Sequence, residues 1–134
     1  LEHRAWELGV QHAVRFLGAM GPHGGLTILY RSTDCVVVPS RNEPVGIVVL
    51  EAWAAGKPVI ATHHGGPRDI ISHNEDGFLV YDNPNSICWG VNQVFSNFAH
   101  AQWMGSRGRV KAAYGYSWDA IAQRTESIYH DLLQ

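Results

Sequence analysis

The stretch from Pro39 to Gly56 constrains the fold of this 134-residue chain more than any other part. The β-branched run Asp34–Val38 precedes it, and the similar run Lys57–Ala61 follows it. Both runs predict buried parallel strands. Between them, turn-forming residues lead into an apolar helix of about three turns. Strand, loop, helix and strand in this order are the unit of a parallel sheet, so the sequence predicts an α/β fold with a parallel sheet and flanking helices.

Glu51 is the one charged residue of this apolar helix, which we therefore expect to be mostly buried. A buried carboxylate needs a partner, and helical side chains lean toward the helix N-terminus, here the open amides near Gly46. These amides and the helix dipole form an anion site, with Glu43 in the loop above. Two carboxylates around an anion site suit a nucleotide-sugar. The alternative is that the dipole alone favours acidic residues here.

Further motifs follow in order along the chain. Glu43-Pro44-Val45-Gly46 and Leu50-Glu51-Ala52 have E-x7-E spacing. The later blocks are Gly56–Thr62, Gly65–Ile71 and Asp76–Val80. Together these motifs resemble the C-terminal, donor-binding domain of retaining GT-B glycosyltransferases, most closely glycosyltransferase family 4 (group 1). The resemblance implies a Rossmann-like parallel sheet with flanking helices, as part of the C-terminal domain of a GT-B fold.

The resemblance implies transfer of a sugar from a nucleotide-sugar donor with retention of configuration, without a metal or another cofactor in this domain. It implies that Glu43 is the catalytic residue, bound to sugar hydroxyls, and that Glu51 holds the ribose hydroxyls. The helix amides would receive the diphosphate. The implied substrate-binding residues are Glu43, Pro44, Val45, Gly46, Ile47, Val48, Glu51, Gly65, Gly66 and Phe16.

Composition limits the partners and the location. Hydrophobic residues make up 46% and charged residues 16%, which predicts one globular domain over residues 1–134. The resemblance implies that it is a partial nucleotide-sugar-binding domain. A net charge of −2 disfavours nucleic acid as a partner. No apolar run has transmembrane length and no signal peptide is visible, although membrane association of the full protein stays open. Cys35 and Cys88 predict free, buried thiols in a reducing, cytoplasmic compartment.

The first part of the chain is harder to interpret. Val14–Leu17 is predicted to be a strand, and in the resembling family this strand end lies beside the nucleotide base. Arg15 and Phe16 could contact a base, or Phe16 could belong to the core and Arg15 to a solvated strand end. The loop from Ala19 to Gly25 is rich in glycine but lacks the phosphate-loop pattern and the acidic segment typical of the family.

The histidines at positions 63 and 64 do not predict a metal site, because adjacent histidines rarely converge on one ion and no further ligands accompany them. Gly65 and Gly66 would instead let the backbone meet the donor sugar. Asp69 stands where the family usually has Glu, which shortens the reach of this carboxylate.

Two helices are predicted in the last third of the chain. One runs from Asn83 to about Phe98, with its spaced apolar residues in the core: Val91, Val94, Phe95 and Phe98. The other begins after the capping residue Ser117. Its apolar stripe should pack on the sheet or on a missing partner, and it consists of Trp118, Ile121, Ile128 and Leu132.

The resembling domains begin with a strand that ends in a Gly-Arg pair, followed by a Lys, and no such segment precedes Val14. We therefore expect a partial domain, inactive alone, whose acceptor domain or chain lies elsewhere. Its sheet should have an open edge beside Val36–Val38. Two alternatives from other classes stay open: a non-catalytic anion- or nucleotide-binding module, and a structural fragment that pairs with another chain.

Overall fold

The computed structural model describes residues 1–21 and 25–133. Three short strands form a parallel sheet in the order β1-β2-β3, and helices cover both faces. The strands are β1 Val36–Val38, β2 Val59–Thr62 and β3 Phe78–Val80. The α-helices are α1 Glu2–Glu7, α2 Leu26–Ser32, α3 Ile47–Ala54, α4 Gly66–Ile70, α5 Pro84–Ser96, α6 Phe98–Gly115 and α7 Trp118–Leu132. The predicted α/β architecture is confirmed.

The sheet divides the core into two clusters. In the register of the sheet, Val36 lies opposite Val59 and Ile60 lies opposite Phe78. Successive residues of each strand point to opposite faces, because the side chains of a β-strand alternate. On one face the cluster consists of Val38, Val49, Ala52, Trp53, Val59, Ala61, Ile70 and Ile71. On the other face it consists of Ile60, Phe78, Val80, Val94, Ala101 and Met104. The helix α3 therefore packs on one side of the sheet and α5 on the other.

The central helix α3 is buried on one side rather than all round. Val49 and Trp53 are fully buried against the sheet and α6, whereas Ile47 and Val48 are 59% and 36% exposed. The prediction of a mostly buried helix is therefore wrong, because the sheet and α6 together cover one side of it. Its open side includes the helix N-terminus, where the anion site is expected.

The predicted strand Val14–Leu17 is wrong. These residues have no regular secondary structure, and Phe16 and Leu17 are 44% and 54% exposed. A strand needs a neighbour to satisfy its backbone groups, and in the described part of the chain this segment pairs with none of the three strands. Of the glycine-rich loop that follows, residues 22–24 lie outside the described residues.

The C-terminal helices begin and end differently from the prediction. The helix α5 stops at Ser96, and the side chain of Asn97 accepts a hydrogen bond from the His100 amide to begin α6. Val94 is fully buried as predicted, but Phe95 and Phe98 are 56% and 36% exposed and stack on each other instead of entering the core.

The last helix, α7, begins as predicted, because the Ser117 side chain accepts a hydrogen bond from the Ala120 amide. The apolar stripe of this helix is largely exposed, however. Trp118 and Leu132 are 85% and 77% exposed. Packing of the stripe on the sheet is therefore ruled out for the described residues.

Both cysteines are free thiols, as predicted, but they differ in exposure. Cys35 is half-buried, and its burial, reinforced by the charge of Asp34, raises the pKa of its thiol. Cys88 is exposed, so the prediction that both are buried is wrong for Cys88.

The two edge strands differ in how their outward-facing backbone groups are bonded. At the β3 edge, side chains accept hydrogen bonds from two backbone amides: Leu79, in the strand, donates to His73 Nδ1 at 3.0 Å, and Tyr81, directly after the strand, donates to Ser86 Oγ at 2.9 Å. At the other edge, Val36 bonds inward to Pro58, so the backbone groups of Val37 point away from β2. As predicted, β1 is an edge strand, and Val37 is 37% exposed.

Candidate functional site

The loops that follow the three strands meet at the carboxyl edge of the sheet. The Glu43 loop follows β1, His63–Gly65 follows β2, and Asp82 follows β3. Asp82 lies between two of these loops, with its carboxylate oxygens 3.7 Å from Arg41 Nε and 3.8 Å from His64 Nε2. In open parallel sheets, ligands bind at this edge.

The Glu43 loop is held by hydrogen bonds to its neighbours. The Thr62 hydroxyl at the end of β2 donates to the carbonyl of Ser40. The amide of Gly66 donates to the carbonyl of Glu43 at 2.7 Å. Within the loop, Oε1 of Glu43 accepts a hydrogen bond from the Gly46 amide at 3.0 Å. The Glu43 carboxylate is therefore half-buried and oriented toward the start of α3.

Gly65 and Gly66 are needed for close packing of two loops. A Cβ atom at Gly65 would collide with the backbone carbonyl of Glu43, and one at Gly66 would collide with the carbonyl of Val45. Because backbone atoms cannot move away as a flexible side chain can, any larger residue would displace the Glu43 loop. This packing accounts for both glycines, and their predicted contact with a donor sugar remains a prediction.

The N-terminus of α3 faces the same region. Gly46 precedes the helix with φ of 85°, a left-handed conformation that favours glycine. Its amide is used by Glu43, and its carbonyl accepts from Val49. Among the hydrogen bonds of the described residues, none uses the amides of Ile47 and Val48, and both side chains are exposed. These two amides are therefore left without a protein partner, within the described residues, at the positive end of the helix dipole.

Glu51 does not bond to those amides, contrary to the expectation from helix geometry. Its Oε2 atom accepts a hydrogen bond of 2.9 Å from the hydroxyl of Tyr30, on α2. Burial and this carboxylate raise the pKa of Tyr30 to about 12, so the phenol keeps its proton at physiological pH. Together they line a cavity of about 240 Å³, with Leu26, Thr27, Arg31, Ala54 and Ala55.

Sequence reasoning missed Tyr30 and the cavity at α2. A signal was present, because Leu26, Leu29, Tyr30 and Thr33 have helical spacing and form the inner face of this helix. A phenol on an inner face and a carboxylate on a mostly apolar helix each need a polar partner. The two requirements together would have suggested the pair, although not its position in space.

The other predicted site residues lie apart from this cavity. Phe16 lines a shallow, open depression beside α1, together with Arg15 and Leu17. Asp69 is exposed on α4. Within residues 1–21 and 25–133, no three His, Cys, Asp or Glu side chains are grouped so that they could hold a metal ion. Nor does any helix in these ranges combine the length and apolarity needed to cross a membrane.

Comparison with known proteins gives the family of this chain. Residues 1–111 match the family model described as "Glycosyl transferases group 1". The chain belongs to the group 1 glycosyltransferases. It is 44% identical over 130 residues to "Uncharacterized glycosyltransferase MJ1607" of Methanocaldococcus jannaschii. The match covers 96% of this chain and 33% of the relative. It is also 38% identical over 126 residues to the D-inositol 3-phosphate glycosyltransferase of Corynebacterium diphtheriae, covering 92% and 29%.

Solved structures give the same result for the fold. The sucrose-phosphate synthase of Thermosynechococcus elongatus superimposes with a TM-score of 0.88 and 32% identity, covering 98% of this chain and 33% of the synthase. This likeness confirms the predicted fold class, a Rossmann-like part of a GT-B glycosyltransferase. The group 1 chain thus spans about a third of the length of the proteins that it matches.

Proposed function

We propose that this chain is the donor-binding domain of a retaining glycosyltransferase of family 4, which transfers a sugar from a nucleotide-sugar to an acceptor. The observation that carries the proposal is the N-terminus of α3, where the amides of Ile47 and Val48 have no hydrogen-bond partner among the described residues and lie between Glu43 and Glu51 in the sequence. An anion placed there meets two backbone donors and the helix dipole.

Each part of the donor has a place in this arrangement. The diphosphate binds the amides of Ile47 and Val48, and the helix dipole stabilises the negative charge of the departing nucleotide. Glu51 accepts hydrogen bonds from the ribose hydroxyls in the cavity beside Tyr30. Glu43 accepts hydrogen bonds from the donor sugar, and its bond to Gly46 holds it above the helix start. Gly65 and Gly66 pack closely against the backbone of this loop and keep it in place.

Glu43→Gln in the full-length protein tests the catalytic role. Glutamine keeps an acceptor oxygen for the Gly46 amide, so the loop should stay in place while the charged acceptor of the sugar is lost. We expect turnover to fall by about tenfold or more with an unchanged melting temperature. The measurement is transfer from a panel of nucleotide-sugars, with the anomeric configuration of the product determined by NMR.

The matched control is Glu75→Gln, which removes a carboxylate from an exposed turn on another part of the chain. It should leave turnover unchanged. Normal transfer by Glu43→Gln would contradict the catalytic role, and inversion of configuration would contradict the retaining mechanism. Nucleotide binding without transfer to any acceptor would favour the alternative of a non-catalytic nucleotide-binding module.

A further inference from the structure

The contact between Tyr30 and Glu51 joins two helices that line the cavity described above. Tyr30 lies on α2 and Glu51 on α3, and the hydrogen bond between them measures 2.9 Å. The hydroxyl is the donor, because the phenol stays protonated and an ionised carboxylate accepts. A neutral donor to a charged acceptor makes a stronger bond than a neutral pair does.

The position of Tyr30 is fixed by packing. Its ring is partly buried and packs against the core cluster that contains Val49 and Trp53, and its hydroxyl extends to the cavity. Glu51 lies on the same helix as these two core residues but is itself half-buried. A glutamate side chain has several rotatable bonds, and fixing them costs conformational entropy. Because the hydrogen bond from Tyr30 already restricts the Glu51 side chain, less conformational entropy is lost when a ligand binds.

The bond leaves most of the carboxylate free. An ionised carboxylate has about four acceptor positions on its two oxygens, and Tyr30 uses one of those on Oε2. Within residues 1–21 and 25–133, no other group bonds to this carboxylate, which leaves both positions on Oε1 and one on Oε2. This is enough for a vicinal diol, in which two neighbouring hydroxyls each donate one hydrogen bond.

We propose that Tyr30 is a positioning residue that holds the carboxylate of Glu51 ready for the vicinal diol of the ligand's ribose. This inference rests on the proposed function, which gives Glu51 the ribose hydroxyls. It adds that the affinity for the ribose depends on a side chain outside the E-x7-E motif. In this proposal, the hydroxyl of Tyr30 acts on the ribose through Glu51.

The test compares Tyr30→Phe with wild type in the full-length protein. The probe is whichever of UDP, GDP and ADP binds most tightly, together with its 2′,3′-dideoxy analogue, and the measurement is isothermal titration calorimetry. Phenylalanine keeps the packed ring and removes the hydroxyl. We expect ribonucleotide affinity to fall about three- to tenfold, the effect of one net hydrogen bond, and affinity for the dideoxy analogue to stay unchanged.

The control is Tyr116→Phe, because this tyrosine packs against the same core cluster but lines a different cavity. It should bind both nucleotides as wild type does. If Tyr30→Phe weakens both nucleotides equally, or neither, or tightens the ribonucleotide, the positioning role is overturned.

Glu51→Gln separates this inference from the proposed function. If Glu51→Gln weakens ribonucleotide binding and Tyr30→Phe does not, the ribose role stands and the inference on Tyr30 fails. If Glu51→Gln leaves binding unchanged, the ribose role fails, and the role of Tyr30 fails with it. In the double variant, the loss should be no greater than that of Glu51→Gln alone, because Tyr30 then has no carboxylate to position.

Discussion

Lys111→Met would leave the nearly buried carboxylate of Asp76 without its cationic partner. Nζ of Lys111, on α6, lies 2.8 Å from Oδ2 of Asp76 and 3.2 Å from the Ser72 hydroxyl. The other oxygen of Asp76 accepts from the Ser72 amide at 2.8 Å, and the Asp76 carbonyl accepts from the indole of Trp53 at 2.9 Å. The cluster thus joins α3, α6 and the turn before β3.

The exposed fractions of the two side chains set the size of the effect. Removing one partner of a fully buried ion pair costs about 3–5 kcal/mol. Here Asp76 is 5% exposed, but Lys111 is 31% exposed, so water reaches the pair and reduces the loss. The Ser72 amide also remains bonded to the carboxylate. We therefore expect the free energy of unfolding to fall by about 2 kcal/mol, which for a chain of this size lowers the melting temperature by about 7 °C.

Urea unfolding followed by tryptophan fluorescence measures this change. The control Glu75→Gln breaks an ion pair that also joins this turn to α6, but its two side chains are 50% and 61% exposed. That control should change stability by less than about 0.5 kcal/mol. Asp76→Asn combined with Lys111→Met should recover part of the loss, because no unpaired charge stays buried. Equal effects of Lys111→Met and Glu75→Gln would refute the argument from burial.

Two further predictions follow from the exposed surfaces. Cys88 should react with a thiol reagent well before Cys35, because burial hinders access to the Cys35 thiol and raises its pKa. Equal rates of modification in a mass-spectrometric time course would contradict this. The 134-residue chain alone should self-associate through β1. Val37→Lys should weaken this association, because a charged side chain on an edge strand disfavours pairing with another strand. Sedimentation of both forms as monomers at the highest attainable concentration would refute the second prediction.

Much of the central unit was predictable because its signals are local. The β-branched runs become β1 and β2, and the loop between them leads into α3, which starts after Gly46. Ser117 begins α7 because a serine cap bonds to an amide three residues away. Such features depend on neighbours in the sequence, so the residues alone contain the information.

Predictions failed where the outcome depended on what lies beside a segment. Val14–Leu17 has the composition of a strand but has no partner in the described sheet, and a strand forms only with one. The apolar residues of α7 have helical spacing, which predicts a helix face but not what covers it. Phe95 and Phe98 are exposed because the chain changes direction at Asn97, and no apolar periodicity predicts that change.

Strand, turn and helix propensities act over a few residues, so the parallel α/β unit and the glycine that precedes α3 could be read from the residues themselves. What each carboxylate contacts depends on how the chain folds around it. Glu43 bonds to Gly46, three residues away, but Glu51 bonds to Tyr30, 21 residues earlier in the chain. That second contact exists because α2 packs beside α3, and the packing of two helices depends on the whole core rather than on either segment.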